Sequence, residues 1–320
     1  MRILSAPMAG FTNYAFRELF RLFGGVDVIE TEMVSARSFV ELEAREKEFP
    51  SRLWGVKNEP KTTVQIWDNS PETLAEFARR LSVDFGVFGI DLNFGCPARQ
   101  IAGRSESGSY LLRFPDRIGD IVSRVVLAAG KVPVTAKIRL GCTADSINAI
   151  DVAQAIENAG ANGIIVHGRT AAEMYHGNAN WDAIAQIKPK LRQIKLYGNG
   201  DIKTVEDALL RVRLYPVDGV MIGRAALVKP WIFCQVAAAL AGKEIPNDPT
   251  NKEINQMIKL QYELLKKQLT TQAAITQLKK HICHYATGKN NSRQFRNEIC
   301  KTNNTENLFN LIDTFWNKNS

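Results

Sequence analysis

Eight short apolar runs, most of them separated by a helical pattern, set the strongest limit on how this chain can fold. The runs are Ile3–Met8, Val26–Met33, Thr62–Asp68, Val87–Asn93, Val134–Leu140, Gly163–Arg169, Ile194–Gly200 and Gly219–Arg224. Amphipathic stretches lie between them at Ser70–Leu81, Pro115–Ala129, Ile147–Ala159 and Thr204–Val212. Strands that alternate with helices in this way pair in parallel through helical crossovers. Eight such units in roughly 230 residues match a (β/α)8 TIM barrel. The alternative is an open doubly wound sheet. It usually has fewer strands and a Gly-rich first turn, and no G-x-G-x-x-G follows the first run here.

Beyond the eighth run the pattern becomes purely helical. Arg224–Lys243 reads as one helix, and Glu244-Ile245-Pro246-Asn247-Asp248-Pro249 breaks it. Thr250 with Glu253 forms a capping box for a new helix. Ile254, Met257, Ile258, Leu264, Leu265 and Leu269 give that helix an apolar face. Further helical patterns cover 271–286 and 305–316. The expected organisation is a catalytic barrel over residues 1–243 and a small all-helical domain over 250–320.

The charge is unevenly placed. The chain carries a net +8, and residues 251–320 hold 11 Lys and Arg against 5 Asp and Glu. A localised basic surface is either a solvated helical face or the footprint of a polyanion. No run approaches the roughly 18 apolar residues of a membrane span. The start of the chain reaches Pro7 too soon for a signal peptide's apolar region. The five cysteines are scattered with no C-x-x-C, which fits a reducing compartment and argues against a disulfide framework or zinc site. A cytoplasmic monomer without a membrane anchor or metal is expected. The cluster His281-x-Cys283-His284 lacks metal-ligand spacing.

Polar groups gather at the C-terminal ends of the runs, where barrel active sites are built. They are Gln65, Asn93 with Cys96, Lys137 with Arg139, His167 with Arg169, Asn199-Gly200-Asp201, and Gly223-Arg224. The last two groups follow strands seven and eight, whose loops frequently bind phosphate. Lys137 is either a Schiff-base nucleophile or a fixed cation. Gln65 is suited to hydrogen-bond the edge of a pyrimidine or imide ring. Cys96 stands in a turn forced by Gly95 and Pro97, and can be a nucleophile, a proton donor or inert. An unperturbed thiol is mostly protonated at neutral pH and can give one proton in a reduction.

Six motifs in order resemble the tRNA-dihydrouridine synthase family. They are Ala6-Pro7-Met8-Ala9-Gly10, Asp91-Leu92-Asn93-Phe94-Gly95-Cys96-Pro97, Lys137-Ile138-Arg139, His167-Gly168-Arg169-Thr170, Asn199-Gly200-Asp201 and Met221-Ile222-Gly223-Arg224. The helical tail is similar to that family's tRNA-binding domain in kind. The resemblance implies an FMN-dependent enzyme that reduces uridine in the D-loop of tRNA, with NADPH (or NADH) as reductant. It implies FMN held by Pro7, Met8, Ala9, Gln65, Lys137, His167, Asn199, Gly200, Asp201, Gly223 and Arg224. Lys137 would then be a fixed cation that stabilises the reduced, anionic flavin ring. Cys96 would be the proton donor, with Asn93, Arg139 and Tyr175 at the uracil.

The chain departs from the family pattern at three places. Ala98-Arg99-Gln100 keeps one charge where a basic pair is common, Tyr110 replaces a small residue in Gly108-Ser109-Tyr110-Leu111-Leu112, and Tyr197-Gly198 precedes Asn199. Two rival readings are a small-molecule FMN barrel oxidoreductase of the dihydropyrimidine type and a non-catalytic RNA-binding barrel. The basic helical tail counts against the first. Cys96 and Lys137 count against the second.

Overall fold

The computed structural model describes residues 1–44, 53 and 55–318. The chain divides into two compact units, one of Met1–Pro7 with Asp27–Gly223 and one of Met8–Val26 with Arg224–Ser320.

The first unit is a nearly closed parallel barrel. Its strands are β1 (Arg2–Ser5), β2 (Ile29–Glu30), β3 (Val34–Ser35), β4 (Thr62–Trp67), β5 (Gly89–Phe94), β6 (Val134–Arg139), β7 (Gly163–His167), β8 (Lys195–Asn199) and β9 (Gly219–Ile222). They run in the order β1-β9-β8-β7-β6-β5-β4-β2, with β3 also on β4. A parallel bridge from Leu4 to Val28 brings the two ends together. Every expected run supplies one barrel position.

The second position is the exception to regularity. Ile29 and Glu30 pair with Thr62 and Thr63, but Val34 pairs with Ile66, so this strand holds one extra residue. The cause is a side chain. Thr31 Oγ1 accepts the backbone N–H of Gln65 at 3.2 Å, a bond that the ladder would otherwise use.

Helices Pro71–Arg80, Pro115–Ala129, Ala149–Asn158 and Val205–Leu214 fall where the periodicity expects them. Ser70 caps the first, and Thr204 with Asp207 forms a capping box on the last. Leu74, Phe77, Ile118, Ile121, Val122 and Val125 bury their apolar faces. Each such side chain stabilises the fold by about 1.5–3 kcal/mol. Inside the barrel, Leu4, Ala6, Val28, Ile165, Tyr197 and Met221 form a buried apolar cluster. Gly163 makes room for Tyr197, because a Cβ there would stand 2.9 Å from the tyrosine ring.

The second unit is all helical. Tyr14–Phe23 joins the C-terminal helices through Phe16 on His281, Phe20 on Phe233 and Phe23 on Trp231. His281 is fully buried, and burial lowers its pKa to about 3, so it is a neutral core residue. The single helix expected over 224–243 is two, Arg224–Val228 and Ile232–Leu240. Pro230 lacks the N–H that a continuous helix needs. Asp248 then ties the 244–249 segment back, accepting from Lys229 Nζ (2.5 Å), Trp231 Nε1 (2.8 Å) and Gln235 Nε2 (3.0 Å). Helices Asn251–Lys266, Thr271–Tyr285, Ser292–Lys301 and Thr305–Lys318 follow. No helix among the described residues is long and apolar enough to cross a membrane.

Candidate functional site

Asn93 is the hinge of the site. Its Oδ1 accepts the backbone N–H of Gly95 (3.1 Å) and of Cys96 (2.9 Å), which turns the chain out of β5. From the other side, the Ser109 N–H donates to the Cys96 carbonyl at 3.0 Å. Gly108 has φ +57, and a Cβ there would stand 2.7 Å from the same oxygen, so only glycine allows this approach. The thiol is therefore fixed by its backbone. Burial raises its pKa, opposed by the Ala98 N–H and the charges of Arg139 and Lys137. The balance is upward, and the thiol stays protonated at neutral pH.

Asp91 and Asn93 share one face of β5, because side chains alternate along a strand. Asn93 Nδ2 donates to Gln65 Oε1 (2.9 Å), Gln65 Nε2 donates to Asp91 Oδ2 (2.8 Å), and Thr135 Oγ1 donates to Asp91 Oδ1 (2.6 Å). Burial pushes Asp91 up to about 6 despite these bonds. Glu30 on β2 is 1% exposed, and its Oε2 has no hydrogen-bond partner among the described residues. Burial first, then the charge of Asp91, raise its pKa well above the carboxylate range. Lys137 on β6 is the cation of this group. Burial and the charge of Arg139 lower its pKa to about 8, while Asp91, Glu30 and Cys96 pull it back by charge and not by hydrogen bonds.

Two buried arginines donate to loop carbonyls. Arg139 is 3% exposed and donates from Nε to the Gly95 carbonyl (2.9 Å) and from Nη1 to those of Thr170 (2.7 Å) and Met174 (2.9 Å). Arg169 is buried and donates to the carbonyls of His176 (2.9 Å) and Gly177 (2.6 Å) and to Asp201 Oδ2 (2.6 Å). Its Nη1 lies 3.3 Å from His167 Nε2. Arginine only donates, so that nitrogen is the acceptor of a neutral imidazole. Together the two guanidinium groups hold the loop after β7. That loop presents Tyr175, which is 59% exposed, with the Arg139 cation 5.8 Å from its ring centre. His167 lies 6.3 Å from Tyr175, ring to ring.

Asn199 Nδ2 donates to the Met221 carbonyl at 2.9 Å. Gly200 has φ +126, where a Cβ would stand 2.6 Å from Ala179 Cβ. Asp201, at φ 51, also accepts the Ala179 N–H at 2.7 Å. The Asn199 and Asp201 side chains are thus committed to structure. Pro7 and Gly223 are half-buried just beyond β1 and β9. Met8, Ala9 and Arg224 belong to the second unit. There the Met8 carbonyl accepts the N–H groups of Phe11 and Thr12, each at 3.0 Å, while Ala9 and Arg224 are exposed.

A family model described as dihydrouridine synthase matches residues 4–318 of the chain. The chain belongs to the dihydrouridine synthase family. A curated relative in Pseudomonas aeruginosa, tRNA-dihydrouridine synthase B, is 35% identical over 306 residues, covering 95% of this chain and 90% of its own. A probable tRNA-dihydrouridine synthase of Mycobacterium leprae is 31% identical over 96% of this chain and 86% of its own. Among solved structures, a variant of NCR from Zymomonas mobilis superposes with a TM-score of 0.51 at 14% identity, covering 78% of this chain and 89% of that one. That likeness is one of fold.

Asp91, Thr135 and Glu30 were not among the residues expected at the site, and Arg169 was expected at the strand end beside His167 without a role. Alternation from Asn93 would have placed Asp91 inward. The Arg169 contacts join the loops after β7 and β8 and leave no mark in sequence.

Proposed function

We propose that the chain is a tRNA-dihydrouridine synthase that reduces a D-loop uridine, with FMN as bound cofactor and NADPH as reductant. The observation that carries this reading is the Cys96 thiol, fixed through Asn93, kept protonated by burial, and within the field of the half-buried Lys137. The names of the two curated relatives support the substrate. The residues also fit the cofactor. Lys137 is a cation without a hydrogen-bonded anion, suited to the electron-rich edge of a reduced flavin ring. Gln65 offers an amide in the same polar group. The backbone of Asn199–Asp201 and Gly223 adds turns open to a phosphate or ring edge.

Reducing the uracil C5–C6 bond needs a hydride on one carbon and a proton on the other. Bound FMN supplies the hydride. Cys96 holds the proton at Sγ and releases it to the second carbon. Asn93 acts through Cys96, since its Oδ1 already accepts two N–H groups of that turn. Arg139 steadies the turn through the Gly95 carbonyl and faces the uracil with Nη2, which its three backbone bonds do not use. Tyr175 offers an exposed ring to a base flipped out of the RNA stack. The basic helices of residues 251–318 hold phosphates without reading sequence.

Incubation of the protein with FMN, NADPH and unmodified tRNA tests this, with dihydrouridine measured by mass spectrometry of the digested RNA. Accumulation of dihydrouridine at a D-loop position is expected. Oxidation of NADPH with no change in the tRNA would contradict it.

A further inference from the structure

The segment after Cys96 carries three arginines with no acidic partner among the described residues. Arg99, Arg104 and Arg113 are exposed, and among the described residues none forms an ion pair or hydrogen bond through its guanidinium. Elsewhere on the barrel, Arg79, Arg80, Arg124 and Arg192 face Glu76, Asp84, Asp120 and Glu157. Arg113 instead lies over the ring of Tyr110, 4.6 Å from its centre. The Tyr110 ring is 5.8 Å from that of Phe114, which is 42% exposed. Tyr110 Oη is held by Glu106 Oε1 at 3.3 Å, so the ring has a fixed direction.

This platform is tied to the catalytic turn. Ser109, next to Tyr110, donates its N–H to the Cys96 carbonyl at 3.0 Å, and Cys142 Sγ lies 3.4 Å from the Ser109 carbonyl. A ligand resting on Tyr110 is thus one residue from the backbone that positions the thiol. Unpaired arginines with exposed aromatic rings are the chemistry that binds single-stranded nucleic acid: rings stack bases and guanidinium groups take phosphates.

We propose that Arg99, Arg104, Tyr110, Arg113 and Phe114 form an RNA contact on the barrel itself. An unpaired base beside the target uridine stacks on the Tyr110–Phe114 pair, and the arginines take the adjoining phosphates. The proposal rests on the reading of the chain as a tRNA-dihydrouridine synthase. It gives Tyr110, the bulky departure from the family pattern, a role in holding the strand open.

Binding of unmodified tRNA tests it, measured by fluorescence anisotropy at several salt concentrations. Tyr110→Ala and Phe114→Ala are each expected to weaken Kd about 5- to 100-fold, as loss of one stacked base does. Arg99→Gln, Arg104→Gln and Arg113→Gln combined should lower the slope of log K against log salt by about 2. Four of these positions are exposed and Tyr110 is half-buried, and an unchanged melting temperature and FMN content identify folded variants. Wild-type Kd and salt slope in the folded variants would overturn the proposal. Dihydrouridine formation by the wild type is scored in parallel. A wild type that binds tRNA yet makes no dihydrouridine defeats the functional reading alone, and the contact is then decided by the Kd and slope data.

Discussion

The two sides of the barrel mouth treat buried charge in opposite ways. At the ends of β7 and β8, Arg169 is buried but donates to two carbonyls and Asp201. Across the ends of β2, β5 and β6, Lys137 has charged neighbours and no hydrogen bond from them, and Glu30 Oε2 has no partner among the described residues. A satisfied buried charge is scaffold, because its bonds offset its desolvation. An unsatisfied one lowers stability until a ligand meets it. The first side holds a loop in place, and the second is the side on which the proposed cofactor would rest.

Breaking the satisfied side should have the largest effect on stability. Arg169→Met leaves Asp201 without its ion pair and frees the loop that carries Tyr175, a loss of about 3–5 kcal/mol. Urea denaturation of the flavin-free protein checks this.

Asp91 gives the next effect. Its folded pKa of about 6 lies above the roughly 3.9 of an unfolded Asp, so the fold binds its proton more tightly. That contribution is present below about pH 4 and is lost as pH rises through 6. The stability of the wild type relative to Asp91→Asn should therefore fall by about 2 kcal/mol between pH 4 and 7. Urea midpoints for both proteins across this range measure it.

On the open side the sign reverses. Lys137→Met removes a desolvated, half-buried cation without breaking a hydrogen bond among the described residues, and should stabilise the flavin-free protein by about 2 kcal/mol. The same variant should bind FMN at least about 10-fold more weakly in a fluorescence titration, the effect of one lost charge contact. Destabilisation with unchanged FMN affinity would show that Lys137 belongs to the scaffold.

Tyr175→Phe marks the lower end. An exposed ring contributes within about 0.5 kcal/mol to stability, so denaturation should not register the change. Tyr175→Ala at the same place should raise KM for tRNA several-fold in steady-state assays, because the stacking face is gone.

Much of the barrel was legible because its strands are buried apolar runs, and polar residues at their ends pointed to a candidate site. The split of the second strand was not, since it depends on Thr31 taking the Gln65 amide from another strand. The break at Pro230 was legible, and an expectation of one helix over 224–243 passed over it. Helix Ser292–Lys301 escaped notice because only Phe295 and Ile299 on it are buried. At the candidate site, the motifs named Cys96, Asn93 and Lys137, and the fold brings these residues to neighbouring strand ends. The motifs did not reveal that carbonyls engage Arg139 or that Glu30 Oε2 lies without a partner among the described residues, because both facts depend on which loops the fold brings together.

The central claim is that the protonated thiol of Cys96 completes the reduction. Single-turnover reaction of the reduced, FMN-loaded Cys96→Ala protein with unmodified tRNA tests it most directly. Dihydrouridine formation should fall by about 100-fold or more, with FMN content and tRNA affinity unchanged. A variant that forms dihydrouridine at the wild-type rate would contradict the claim.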